Sequence, residues 1–230
     1  MKKKSIYCIF YFIIIVWGIY ALHLFRNHSN EEALKEETTT KNLSFYPQNN
    51  HEVNKIFKII LDNYLPIERV SLVIDETLPV IIFEESYNEK DDILTLPPED
   101  VIAYSLKDFE ALIKTGVIDF FDAEFMYSSV DSSKVCSINS KAINKPSISR
   151  LEQYELFSKG KDQTYDILRD KYGTSCFAKF GTPLFNKDST KVLVTVHKYC
   201  GRLNGLGSRL VLIKKNGKWI IAYDTETWVS

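Results

Sequence analysis

The sequence predicts an α+β domain carried behind an N-terminal membrane helix, and three observations predict it. An almost uninterrupted apolar run from Ile6 to Phe25 follows Lys2, Lys3 and Lys4. The middle of the chain carries segments with helical period. The last quarter carries four β-rich runs separated by turn residues.

The apolar run is long enough, at about 1.5 Å per residue, to cross a hydrocarbon core of roughly 30 Å. Lysines before it and a mixed, slightly acidic stretch after it place the N-terminus in the cytoplasm and the rest outside. Residues 1–26 therefore read as an anchor, with the membrane as partner of residues 5–25. A cleaved signal peptide is the alternative, with Ile19-Tyr20-Ala21 as its best small-residue site and a secreted product as its outcome. The long run and the poor site favour the anchor. Cys8 precedes the apolar core and reads as a small residue of the membrane helix, not as a lipid-attachment site.

The 230 residues carry 29 Lys and Arg against 30 Asp and Glu. That balance leaves no broad basic field, so nucleic acid is not an expected partner. Residues 27–50 are polar, include Thr38-Thr39-Thr40 and lack an apolar period, as a tether would. Residues 51–230 remain for an extracytoplasmic domain, large enough for a real core.

Asn50 is a suitable helix cap, and Val53, Ile56, Phe57, Ile60, Leu61 and Tyr64 form one apolar stripe of a helix that Pro66 stops. Two β-rich runs follow, Val70 to Ile74 and Leu78 to Phe83, joined by Asp75-Glu76-Thr77. The acids Asp75, Glu76, Glu84 and Glu85 occupy strand ends, where solvated carboxylates are expected, and no metal site is assigned. Pro97-Pro98, Glu99 and Asp100 signal a second helix with Val101, Tyr104, Phe109, Leu112 and Ile113 on one face and Gly116 beyond its end. Val117 to Tyr127 reads as strand-like or irregular. It carries Asp119, Asp122 and Glu124, weak candidates for an acid/base pair set against plain surface positions. The Ser-, Asn- and Lys-rich stretch 128–148 suggests a long surface connection or a subdomain boundary. Ser149-Arg150-Leu151-Glu152 matches a capping box opening a helix to about Lys159, and Gly160 separates it from a helix over Asp162 to Tyr172 that Gly173 ends.

The four C-terminal runs, Phe177 to Phe185, Lys191 to Tyr199, Arg209 to Lys215 and Lys218 to Asp224, predict an antiparallel meander. Asn216-Gly217 is a strong two-residue hairpin signal. A five-residue loop, Asn186 to Thr190, would set Phe185 opposite Lys191, Thr182 by Val194, Phe180 by Val196 and Cys176 opposite Cys200. In that register Cys176, Ala178, Phe180 and Leu184 share the core face with Val192, Val194, Val196 and Cys200. Lys179, Lys191, Thr195 and His197 lie on the other face. Opposed strand residues are within disulfide range, and an extracytoplasmic compartment permits oxidation. Cys176–Cys200 is thus a disulfide candidate, with two buried free thiols, or a pairing that includes Cys136, as alternatives.

Two features invite a functional reading. Gly201-Arg202-Leu203-Asn204-Gly205-Leu206-Gly207 could cradle an anion, but it joins two strands and opens no helix, so a wide hairpin loop describes it better. His197 could line a pocket with Tyr199 and Lys179; no G-x-S-x-G or H-E-x-x-H accompanies it. No cofactor is expected.

Lys171-Tyr172-Gly173, Phe185-Asn186-Lys187-Asp188, Val194 and Val196, Cys200-Gly201, Gly205 and Gly207, and Lys214-Lys215-Asn216-Gly217-Lys218-Trp219 with Ile221 resemble the C-terminal sheet of uncharacterised bacterial envelope proteins. Those proteins carry F-N-x-D, an apolar alternation, C-G-x-x-C-G-x-G and K-x-G-K-W. Asn204 stands where that tract has its second cysteine, which leaves Cys200 free for Cys176. The resemblance covers about 60 residues and implies an exported domain from a bacterium, without an activity to transfer.

The expected function is a membrane-tethered extracytoplasmic binding or structural module, its protein or small-molecule partner unknown. An exported hydrolase using Asp119, Asp122, Glu124 and His197 is the alternative, and a cone-like domain around a small ligand is a third. Convergence of His197 with an acid in one cleft would favour the enzyme.

Overall fold

A seven-stranded sheet with helices on both faces organises the domain. The computed structural model describes residues 50–65, 70–84, 87–88, 93–94, 100–130, 133–158, 160–201 and 203–230. The expected anchor and tether, the Pro97-Pro98 signal and Arg202 lie outside these. Among the described residues no helix is long and apolar enough to cross a membrane.

Helix α1 (Asn50–Asn63) forms as its stripe predicts: Val53, Ile56, Phe57, Ile60 and Leu61 are all buried. Its one buried polar side chain, Asn54, is satisfied at both ends. It donates to the Asn50 carbonyl at 2.5 Å and accepts from the Asn139 N–H at 2.8 Å.

Strand β1 (Leu72–Ile74) and strand β2 (Val80–Ile82) belong to different sheets. β1 lies in the main sheet, while β2 pairs in parallel with β5 (Ile102–Tyr104). Between them β3 (Tyr87–Asn88) and β4 (Ile93–Leu94) form a short antiparallel pair. The second helix is shorter than its apolar residues suggest. Ile102 and Tyr104 are drawn into β5, and α2 runs only Leu106–Thr115. Ser105 caps it, its N–H donating to Asp108 Oδ2 at 2.7 Å, and Gly116 ends it in the left-handed region.

The stretch read as strand-like or irregular is helix α3 (Phe120–Ser129). Asp119 caps it: the Asp122 N–H donates to Asp119 Oδ1 at 2.8 Å, and the Asp119 N–H donates to Asp122 Oδ2 at 3.1 Å. This acidic capping box is the signal that the aromatic content obscured. The stretch 128–148 supplies α4 (Ser140–Ile143), strand β6 (Ser147–Ile148), and buried Ile138 and Ile143. Helices α5 (Arg150–Ser158) and α6 (Lys161–Tyr172) follow, the latter ended by left-handed Gly173.

The C-terminal strands are β7 (Phe177–Phe180), β8 (Leu184–Phe185), β9 (Lys191–Tyr199), β10 (Gly205–Lys215) and β11 (Lys218–Val229). The main sheet runs β11-β10-β9-β7-β1-β6, with β8 also on β9. It is antiparallel except where β1 lies parallel to β6 and β7. The meander over β9, β10 and β11 is as expected, but β10 and β11 are longer, and Gly205 and Gly207 stand inside β10. The wide glycine loop is therefore a tight connection, closed by the Cys200 N–H donating to the Asn204 carbonyl at 2.8 Å.

The register departs from expectation in one place. Phe177 opposes Tyr199 and Phe180 opposes Val196, but beyond Gly181, Thr182 and Pro183 the pairing slips by one residue. Phe185 therefore opposes Val192, not Lys191. Asn186 takes over the hairpin closure, its Oδ1 accepting from the N–H groups of Thr190 and Lys191 at 2.9 Å each. A one-residue slip turns every later side chain over. Leu184 packs with Leu193 and Val211, away from the face that was expected for it, and Phe185 packs with Val192 and Trp219.

Both faces of the sheet are covered. One face carries Val73, Ala178, Phe180, Val192, Val194, Val196, Leu210 and Leu212 in a single cluster with α1. Phe57 stacks on Phe180 at 4.3 Å between ring centroids. The other face carries two separate blocks. Leu184, Leu193 and Val211 pack with α2, α3, β2 and β5, while Leu72, Ile74 and Phe177 pack with α5 and α6.

Candidate functional site

Between those two blocks the sheet presents a row of residues that belongs to neither. Register places Lys179 of β7 opposite His197 of β9, His197 opposite Gly207 of β10, and Gly207 opposite Trp228 of β11. Strand alternation puts all four on one face. Gly181, Thr195 and Arg209 follow on one side of the row, Tyr199 and Gly205 on the other.

The glycines exist here for Trp228. A Cβ on Gly205 would lie 2.6 Å from the indole six-membered ring, and one on Gly207 would lie 2.1 Å from Nε1. The indole therefore lies lengthwise along β10, where only glycine backbone admits it. It meets His197 edge-on at 5.2 Å and Tyr199 at 5.6 Å with a tilt of 41°. His197, Tyr199 and Trp228 are all half-buried.

Lys179 is 6% exposed, and its Nζ donates to Asp100 Oδ1 at 2.8 Å while standing 5.8 Å from the centre of the Tyr199 ring. Burial works to raise the Asp100 carboxyl, but the Lys179 bond and charge, with Arg150 beyond, hold it below the usual range. Arg209 donates to Asp108 Oδ1 and, at 3.3 Å, to the Ala103 carbonyl, and it stands 4.7 Å over the Tyr104 ring. The Tyr104 hydroxyl is 2.7 Å from that of Thr195. Segment 100–108 is thus held against the sheet beside the row by two ion pairs and a hydroxyl contact.

Burial depresses the His197 pKa to about 4, with the nearby charges of Lys179 and Arg209 adding to the effect. The ring is neutral at pH 7. Burial pushes the Tyr199 hydroxyl to about 12, helped by Asp100. Among the described residues neither His197 nitrogen, nor the Tyr199 hydroxyl, nor the Trp228 indole N–H has a hydrogen-bond partner, and none of these atoms is sealed from solvent.

The expected trio of His197, Tyr199 and Lys179 is thus brought together, and the acids are elsewhere. Asp119 and Glu124 are exposed on α3, and Asp119 is occupied as its cap. Asp122 accepts from Lys191 Nζ at 2.5 Å and Asn186 Nδ2 at 2.8 Å, which ties α3 to the β8–β9 hairpin. Burial works against its ionisation, but Lys191, Asn186 and the Asp119 N–H keep its carboxyl below the usual range. Lys191 opens β9 and His197 lies near its far end, about 20 Å away at the strand rise. No acid/base pair forms between His197 and these three acids. Trp228 and Asp100 had no sequence motif of their own. The signal for Trp228 was the Gly205-x-Gly207 spacing within a strand, which marks close approach of a bulky neighbour.

Cys176 and Cys200 close the sheet end next to the row. Their Cα atoms are 4.0 Å apart and their sulfurs are bonded, while Cys136 is free and half-buried. Among the described residues no group of three His, Cys, Asp or Glu side chains gathers as a metal site would require.

Compared with protein-family models, curated proteins and solved structures, the chain matches none.

Proposed function

We propose that this chain is an exported, membrane-tethered, non-catalytic binding module that takes a small ligand in the groove over Lys179, His197, Gly207 and Trp228. The observation that carries the reading is the set of unpartnered polar groups on half-buried aromatic rings. Among the described residues the indole N–H, the imidazole and the phenol have no protein partner, and because these atoms reach solvent they are available to a ligand at one place between two packed blocks. A few placed polar groups among aromatic walls are what small-molecule sites are made of.

The hydrolase reading draws less support. A general acid or base works best with a pKa near the working pH, whereas His197 titrates at about 4 and has none of Asp119, Asp122 or Glu124 beside it. Export is supported by the apolar run after three lysines and by a disulfide, which persists in oxidising compartments.

Two measurements test the proposal. Protease added to intact cells should digest the domain, and protection of residues 51–230 would overturn export. In a fragment screen followed by NMR, shifts should gather on His197, Tyr199 and the Trp228 indole N–H. Shifts gathering at Asp122 and Lys191 would move the site to the hairpin and defeat the groove reading.

A further inference from the structure

We propose that the groove selects a small carboxylate with a planar apolar body, and that Asp100 is the internal carboxylate which such a ligand displaces from Lys179. The inference rests on the groove reading above and names its ligand class.

Three features of the row lead to it. The first is charge: the buried Lys179 ammonium and Arg209 stand at the row, each paired with one carboxylate, Asp100 and Asp108, while Arg150 reaches the Asp100 carbonyl at 3.4 Å and donates its backbone N–H to Asp75. The aromatic groups add no negative charge, because the Tyr199 phenol stays protonated and His197 stays neutral at pH 7.

The second is hydrogen bonding. The Lys179 ammonium, the Trp228 indole N–H and the Tyr199 hydroxyl all donate, and a neutral imidazole keeps one N–H. Lys179 donates one of its three protons to Asp100, leaving donor capacity at a buried amine. A donor-rich site built around a buried ammonium fits an anion. Tyr199 is stacked on Phe177 at 5.2 Å, and Trp228, tilted against Tyr199 at 5.6 Å, is the ring beside it for a flat body to meet.

The third is the present occupant. A carboxylate already sits 2.8 Å from Lys179 Nζ, so the site accommodates that group. It comes from a residue held at a φ of +58°, in the left-handed region that a non-glycine residue adopts at a cost. The Asp100 side chain is 39% exposed, against 8% for Lys179. An incoming carboxylate can take its place at the amine while Asp100 turns to water, and the Arg209–Asp108 pair continues to hold α2.

The test uses the full chain in detergent micelles, with benzoate as probe and benzamide as its uncharged counterpart. Binding is followed through the Trp228 indole N–H and the His197 ring resonances. Benzoate should shift both, and benzamide should bind at least about tenfold more weakly, as expected when a charge-assisted bond is lost. Asp100→Asn should tighten benzoate binding by about tenfold, because removing the internal competitor raises the fraction of competent sites. A gain in affinity cannot come from misfolding. Lys179→Met, with its fold checked by the dispersion of the spectrum, should abolish the benzoate preference.

Equal binding of benzoate and benzamide, or an unchanged benzoate affinity in Asp100→Asn, overturns the carboxylate inference while leaving a binding groove. Failure of benzoate to shift either reporter overturns it as well. The fragment screen then decides separately whether the groove binds anything.

Discussion

The two faces of the main sheet are covered by opposite means. On one, a single helix lays a continuous stripe, Val53 to Leu61, over a continuous apolar surface, and its charges sit at the rim. There Glu52 accepts from Lys214 and from the Trp219 indole at 2.7 Å each. On the other, two blocks cover the ends of the strands, and a row of Lys, His, Gly and Trp lies between them. A face closed by one element has no seam. A face closed by two has one, and Lys179, His197 and Trp228 lie in it. The comparison teaches that a continuous apolar cluster and a row of polar and aromatic side chains lie on opposite sides of the same strands.

Four variants sharpen or break that contrast. The largest loss should come from the seamless face. Phe57 is fully buried and stacked on Phe180, so Phe57→Ala should cost about 3 to 5 kcal/mol in denaturant unfolding. A loss under 1 kcal/mol would mean that this face is not the stabilising one.

The disulfide comes next. The crosslink spans a sequence separation of 24, and the chain-entropy model assigns such a loop roughly 3 kcal/mol. Replacing Cys176 and Cys200 together by Ala should lower stability by that much more in oxidising than in reducing buffer. Equal losses in both buffers, or peptide mapping that finds Cys136 bonded to either, would remove the bridge from the account.

His197 supplies the test of the seam. Its folded pKa of about 4 lies below the ordinary 6.5, so between these values the unfolded chain holds the extra proton. Stability therefore rises with pH through this window, is fully present above 6.5 and declines as pH falls. From pH 7.5 to 5 the loss from this one group amounts to about 2 kcal/mol. His197→Asn should flatten that part of the profile; an unchanged slope would show that the ring is better hydrated than its position implies.

The smallest effect belongs to the rim of the seamless face. Hydrogen bonding from Lys214, against an opposing burial effect and with help from Trp219 and Lys55, lowers the Glu52 pKa to about 2 from 4.5. A depressed carboxyl contributes stability above 4.5 that is lost as pH falls toward 2. Because one ion-pair partner is a third exposed, Glu52→Gln should cost only about 1 kcal/mol at pH 7. A loss as large as that of Phe57→Ala would mean that the charges, and not the stripe, hold α1 in place.

Local pattern alone determined much of this molecule. The stripe of α1, the Asn216-Gly217 turn, the left-handed caps Gly116 and Gly173, and the meander of β9, β10 and β11 are each specified by residues a few positions apart. The opposition of Phe180 to Val196 was expected from a five-residue loop, Asn186 to Thr190, and it holds although Phe185 opposes Val192, because the one-residue slip falls between Phe180 and Leu184. Where expectation failed, a competing contact had intervened: Tyr104 left a helical pattern for β5, which pairs with β2, and Asn186, bonding residues four and five positions along the chain, entered the hairpin and slipped the register of Leu184 and Phe185. Asp119 and Asp122 were legible as a capping box but were weighed as chemistry. The candidate groove was half legible, through His197, Tyr199 and Lys179. Trp228 and Asp100 could not be read into it, because β11 returns from a different hairpin and Asp100 reaches Lys179 across 79 residues of chain. Short-range pattern determines which residues share a face; only the packed blocks above that face decide which of them remain uncovered.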